Sequence, residues 1–183
     1  MNSKIKATEP CHTYLSLQVL DFSLHINAGI SHKAIEHGFS ASDTPIYSFK
    51  SDIEIIGKCM CPEERADCFY TVHIHGENLK SKDLDITLQE FQVKNKDGSP
   101  KYKKRKDGYF PIYDPPKSIG FVEKVRGKNR WNAYAFVAPE TVTDMLTILT
   151  NVRPLFVFIH EVKEARNRRL RSISLQTSDP SLE

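Results

Sequence analysis

Apolar and polar residues alternate along most of this chain, and alternation with period two marks a half-buried strand. Residues 13–26 read TYLSLQVLDFSLHI, with Leu15, Leu17 and Val19 on one face. Beyond Leu20-Asp21 the phase slips, and Phe22, Leu24 and Ile26 alternate instead. One extra residue turns every later side chain to the other face, so the slip predicts a β-bulge or a tight bend. Residues 27–45 read as a connection with one helical turn near 33–37, because Gly38, Ser40, Ser42, Asp43 and Pro45 punctuate it. Strand patterns resume at 52–61, stopped by Pro62, and at 68–75. In the latter, Cys68, Tyr70, Val72 and Ile74 share the presumed core face, and Phe69, Thr71, His73 and His75 share the other. Further strands are predicted at 85–93 (with a bulge at Gln89-Glu90), 108–113, 119–125 and 131–137. The last two are joined by a hairpin turn at Gly127-Lys128-Asn129. Two final strands, 155–162 and 170–176, flank a polar hairpin loop, 163–169.

Helical spacing stands out once. Val142, Met145, Leu146 and Leu149 fall at i, i+3, i+4 and i+7 behind Pro139, which suits the first helical position. Asn151 is a natural left-handed terminator, and Pro154 forbids extension. This predicts a short amphipathic helix near 139–150. A helix of about three turns is unstable alone in water, so it must lie on a sheet or plug the end of a barrel. About eight to ten short strands with regular turn signals and one helix indicate a mainly β protein, either an antiparallel β-sandwich or a partly open barrel. The expected organisation is a flexible segment 1–9, a single β domain 10–178 and a tail 179–183, with no structural weight placed on Leu182-Glu183.

Composition narrows the class. The chain has 183 residues, 39% hydrophobic and 27% charged, ample for a packed core. Its longest apolar run, Leu155-Phe156-Val157-Phe158-Ile159, is far short of the roughly 20 residues that span a bilayer. With no apolar core in its first ten residues, the chain reads as cytoplasmic and not membrane-bound. Cys11, Cys59, Cys61 and Cys68 then read as free thiols. The net charge of +3 hides an asymmetry. Residues 1–93 hold 8 Lys/Arg against 13 Asp/Glu, and residues 94–183 hold 18 against 10.

The basic segments are the strongest chemical lead. The stretch KNKDGSPKYKKRK at 94–106 places Lys94, Lys96, Lys101, Lys103, Lys104, Arg105 and Lys106 in what reads as one extended, solvated loop. Tyr102, Tyr109, Phe110 and Tyr113 lie within or just after it. Arg126 and Lys128 flank one predicted hairpin turn, just before Trp131, and Arg166 and Arg168 flank another. Cations that follow phosphates and rings that stack on bases are how sequence-tolerant nucleic-acid binders work. Lysine-rich hairpins also serve simply to keep strand edges soluble.

Other chemistries fit less well. Cys59, Cys61, Cys68, His73 and His75 invite a zinc reading, but Cys68 and the histidines fall on opposite strand faces and CxxC spacing is absent, so no metal site is expected. Glu161-Val162-Lys163 resembles the acid-x-lysine element of metal-dependent nucleases of the restriction-enzyme type. The aspartate that such enzymes carry on a neighbouring strand has no match, since Asp144 falls on the predicted helix, and the plainer reading is a polar strand end. Glycine-rich phosphate loops, nucleophile elbows and dinucleotide fingerprints are absent. The expectation is a non-catalytic recognition domain without a cofactor, with a basic loop surface and a nucleic-acid or protein partner. The alternatives are a hydrolase or nuclease, or an oligomeric assembly component.

Overall fold

The computed structural model describes residues 10–30, 47–76 and 88–179. The chain divides into two compact units, one formed by Met1–Asn78 and Ser118–Glu183, the other by Leu79–Lys117. Among the described residues the protein is mainly β with one α-helix.

In the larger unit β1 (Cys11–Ile30), β2 (Tyr47–Cys61) and β3 (Phe69–Gly76) form a meander. The inserted smaller unit carries β4 (Tyr102–Arg105) and β5 (Gly108–Pro111). The chain then returns as β6 (Gly120–Lys124), β7 (Arg130–Val137), α1 (Pro139–Asn151), β8 (Phe156–Glu164) and β9 (Asn167–Gln176). Seven strands close in the order β1-β2-β3-β7-β6-β9-β8, with β8 back against β1. Every pairing is antiparallel except β3 with β7. The sheet is therefore a closed barrel, and neither a sandwich nor a partly open barrel. Closure leaves no sheet edge between the two ends of the order, which an open arrangement would have to protect.

The predicted phase slip is real: the β1–β2 register shifts between Val19 and Asp21. Before it, β1 pairs with both β8 and β2; beyond it, β1 pairs with β2 alone. Strand pairing continues through Ile30, so residues 27–30 are strand where a connection was expected. The expected helical turn near 33–37 lies outside the described residues. Leu15, Leu17, Ile53, Ile55, Tyr70, Val72, Ile74, Ala133, Ala135, Val157 and Ile159 fill the barrel interior.

Tight fits set the strand crossings. A Cβ on Gly120 would stand 1.7 Å from the Tyr134 carbonyl oxygen, so only glycine lets β6 lie this close to β7. Gly127, at φ +72, supplies the left-handed residue of the β6–β7 turn. The helix buries Val142, Met145 and Leu149, with Leu146 only partly buried. Asn151 does not terminate it in a left-handed conformation; it stays helical, and the cap is extended Val152. The helix packs on β3 and β2, covering the end of the barrel where β3 and β7 finish. Among the described residues no helix is long and apolar enough to cross a membrane.

The smaller unit corrects two expectations. Strand 85–93 is not formed over its described part: Leu88–Phe91 is a 3-10 turn, followed by an isolated bridge from Gln92 to Tyr113. The basic stretch is not simply an extended loop either. Asn95–Ser99 closes a turn under a Lys94–Pro100 bridge, and Lys103, Lys104 and Arg105 lie in β4, paired to β5. Side chains there face water on both sides of the ribbon, so the strand needs no apolar alternation, which hid it from a pattern-based reading.

Candidate nucleic-acid interface

The barrel topology gathers the basic segments of the larger unit at one end. Cys11 of β1 pairs with Lys163 of β8, and the start of β3 lies beside the start of β7, Phe69 opposite Arg130. The antiparallel β6–β9 pairing places Phe121 opposite Arg169. Hence the β2–β3, β6–β7 and β8–β9 turns all emerge at the end opposite α1. Over residues 61–68, 124–130 and 163–169 they carry nine Lys/Arg against four Asp/Glu. Arg126, Lys128 and Arg166 are exposed there, with Arg130 and Lys163 beside them, and none of the five makes an ion pair with a described residue. The polar hairpin loop expected over 163–169 is only a tight turn around Ala165, at φ +55, so Arg168 and Arg169 belong to β9. Asp67 and Glu164 are occupied by Lys58 at 2.7 Å and Arg169 at 3.3 Å.

Beneath this rim lies a charged core that the sequence reading missed. Glu161 is wholly buried on β8. Arg65, from the 3-10 turn Glu63–Arg65, grips it with two parallel hydrogen bonds, Nη1 to Oε2 at 3.0 Å and Nη2 to Oε1 at 2.9 Å. Arg168 also donates to Oε1. Arg65 Nη1 donates further to the Tyr70 hydroxyl at 2.9 Å. Burial raises the Tyr70 phenol above its usual range, although Arg65 opposes it. Burial alone would lower Arg65, but its bonds to Glu161 and Tyr70 prevail and hold it above its ordinary value. Trp131 stacks parallel to Tyr70 at 6.1 Å and meets three cations: Arg65 at 4.5 Å, Arg168 at 5.0 Å and Lys124 at 5.7 Å from its ring. One carboxylate and one indole thus hold two guanidinium groups rigid just inside the rim, leaving a net positive charge.

This arrangement differs from what the nuclease resemblance implies for Glu161. Glu161 points into the barrel with both oxygens taken, Lys163 is exposed, and Asp144 lies on the helix at the far end. Nor is Glu161 an ordinary polar strand end. Arg168 lies at the rim as a binding residue would, but its guanidinium is engaged with Glu161 and Trp131.

The remaining predicted residues are placed as follows. Lys94, Lys96, Lys101, Lys103, Lys104, Arg105 and Lys106 are all exposed in the smaller unit, with Arg105 over the Phe110 ring at 5.4 Å. Cys59 and Cys68 are buried and Cys61 is partly buried. Burial and the neighbouring Cys68 push the Cys59 thiol up to about 12, so it is an inert core group. His73 and His75 lie on the outer wall, away from the inward Cys68 side chain. Among the described residues no three His, Cys, Asp or Glu side chains converge as metal ligands.

The outer wall carries two ring platforms. On β3, β7 and β6, His73 stacks on Tyr134 at 4.8 Å, Phe121 on Tyr134 at 4.7 Å, and His75 on Phe136 at 5.4 Å. Carboxylates border this platform: Asp52 at 3.0 Å from His75, Glu54 at 3.5 Å from His73, and Glu123 near Tyr134. On β1 and β8, His12, His160, Tyr14 and Phe158 form a continuous ladder with successive centroid separations of 5.2, 4.5 and 5.9 Å. No protein-family model, curated protein or solved structure matches the chain.

Proposed function

We propose that the protein is a non-catalytic recognition module that binds nucleic acid through its phosphates at the barrel end opposite the helix. One observation carries this reading. Arg126 and Lys128 of one turn and Arg166 of another, 38 residues further along the chain, share an end with Arg130 and Lys163, unpaired with any described acid. A small anion is saturated by two or three donors. Cations spread over the turns of several hairpins match a polymer with repeating charge. Loops on a rigid scaffold are also where recognition residues are normally carried. The barrel is closed and its buried charges are paired, so the rim is held in place without a ligand.

The smaller unit, taken by itself, carries its own exposed positive charge on the β4–β5 ribbon, with Lys103, Lys104 and Arg105 beside Tyr109 and Phe110. Fluorescence anisotropy with labelled duplex DNA at low salt tests the reading. Contact with roughly four phosphates gives binding whose log–log salt slope is about −3.6. A protein that binds neither duplex nor single-stranded nucleic acid at low salt overturns it.

A further inference from the structure

Two ring platforms of similar size stand on one barrel, and charge separates them. The β3–β7–β6 platform is bordered by Asp52, Glu54 and Glu123, which repel a phosphate chain. The β1–β8 ladder has cations at its His12 and His160 end, with one carboxylate at the other, where Asp179 accepts a 2.7 Å hydrogen bond from Ser16 opposite Phe158. Its exposed His12 end lies one residue from the Cys11–Lys163 pair, at the cationic rim. Exposed Arg171, on β9, lies close enough to His160 to act with burial and His12 in holding that imidazole below its usual range. Glu161, the acid nearest in sequence, points inward and is neutralised by Arg65 and Arg168.

Resting on the nucleic-acid reading above, we infer that the preferred partner is single-stranded, and that its bases stack on the His12–His160–Tyr14–Phe158 ladder while its phosphates follow Lys163, Arg171 and the rim. The ladder zigzags between two strands: His12 and His160 share a 2.9 Å hydrogen bond, and Tyr14 stacks between His160 and Phe158. Tyr14 keeps 53% of its surface exposed, a large amount for an aromatic ring stacked on two others. An unstacked base adds to such a ladder as one more ring, and because every base has a π-face the contact is tolerant of sequence. A duplex hides those faces and gains only the electrostatic part.

The experiment compares a labelled oligothymidylate with a duplex of equal length, using the whole chain and the Tyr14→Ala, Tyr14→Phe and Tyr134→Ala variants. Wild type and Tyr14→Phe bind the single strand more tightly than the duplex at equal salt. Tyr14→Ala loses roughly 5- to 150-fold in single-strand affinity, the range for one base stack, with its duplex affinity and salt slope unchanged. Tyr134→Ala, on the acid-bordered platform, changes neither. Equal wild-type affinity for both forms, an unaltered Tyr14→Ala, or equal losses in Tyr14→Ala and Tyr14→Phe overturns the stacking role and leaves phosphate binding at the rim standing. Absence of binding to either nucleic acid overturns both. Unchanged thermal melting of Tyr14→Ala confirms that any loss is not one of folding.

Discussion

Glu161 separates a structural from a functional use of charge in this barrel. Its desolvation is offset by the paired bonds from Arg65 and the further bond from Arg168. Removing it leaves the mostly buried Arg65 without its carboxylate and Arg168, nearer the rim, without its ion pair. Glu161→Ala is therefore expected to cost about 3–5 kcal/mol in chemical denaturation, the usual penalty for breaking a buried pair. A cost under about 1 kcal/mol would mean that the carboxylate is not the anchor of the network. His160 is predicted to mark a pH window. Burial, then His12 and Arg171, lower its folded-state value below 6.5, so acidification protonates the unfolded chain first. Its contribution is fully present above about pH 6.5 and is lost as pH falls through the lower folded value. Thermal melts from pH 7.5 to pH 5 should fall less steeply for His160→Gln than for wild type. Both residues show how far the pattern of the chain reaches. Leu155, Val157, Ile159 and Glu161 alternate, so the inward direction of Glu161 was present in the sequence. Its main partner, Arg65, lies 96 residues away, and only strand register brings the two together.

At the scale of elements, α1 and the β6–β7 crossing are the most sensitive. Leu149 is fully buried and Leu146 only partly so. Leu149→Ala should cost about 2–5 kcal/mol and Leu146→Ala clearly less, measured by urea denaturation. Equal costs would show that the helix packs with a different face inward. Gly120→Ala forces a methyl group onto the Tyr134 carbonyl and should cost about 3 kcal/mol or more, with early loss of the short β6–β9 contact that completes the barrel. The helix was legible because its apolar spacing and its proline both point the same way. Most strands were legible from alternation alone, including the bulge after Val19. Two kinds of element were not: β4, whose side chains are all solvated and carry no alternation, and the parallel β3–β7 pairing. That pairing brings together segments separated by an inserted unit, and no local pattern encodes it.

At the scale of the molecule, the acidic first half and basic second half of the chain occupy separate arcs of the barrel, β1-β2-β3 against β7-β6-β9-β8. Charge is also sorted along the axis, with free cations at the turns of one end and paired acids on the β2–β3 wall. The basic turns could be read from the sequence, but their convergence depends on strand order, which could not. The central claim is that this convergence forms a phosphate-binding rim. The most direct test is the salt dependence of nucleic-acid affinity for wild type and for an Arg126→Ser, Lys128→Ser, Arg166→Ser triple variant. All three side chains are exposed and make no ion pair with a described residue, so thermal stability should not change. Loss of up to three phosphate contacts should flatten the log–log slope on duplex DNA by up to about 2.7. An unchanged slope in a stably folded triple variant would place the phosphate contacts elsewhere and contradict the account.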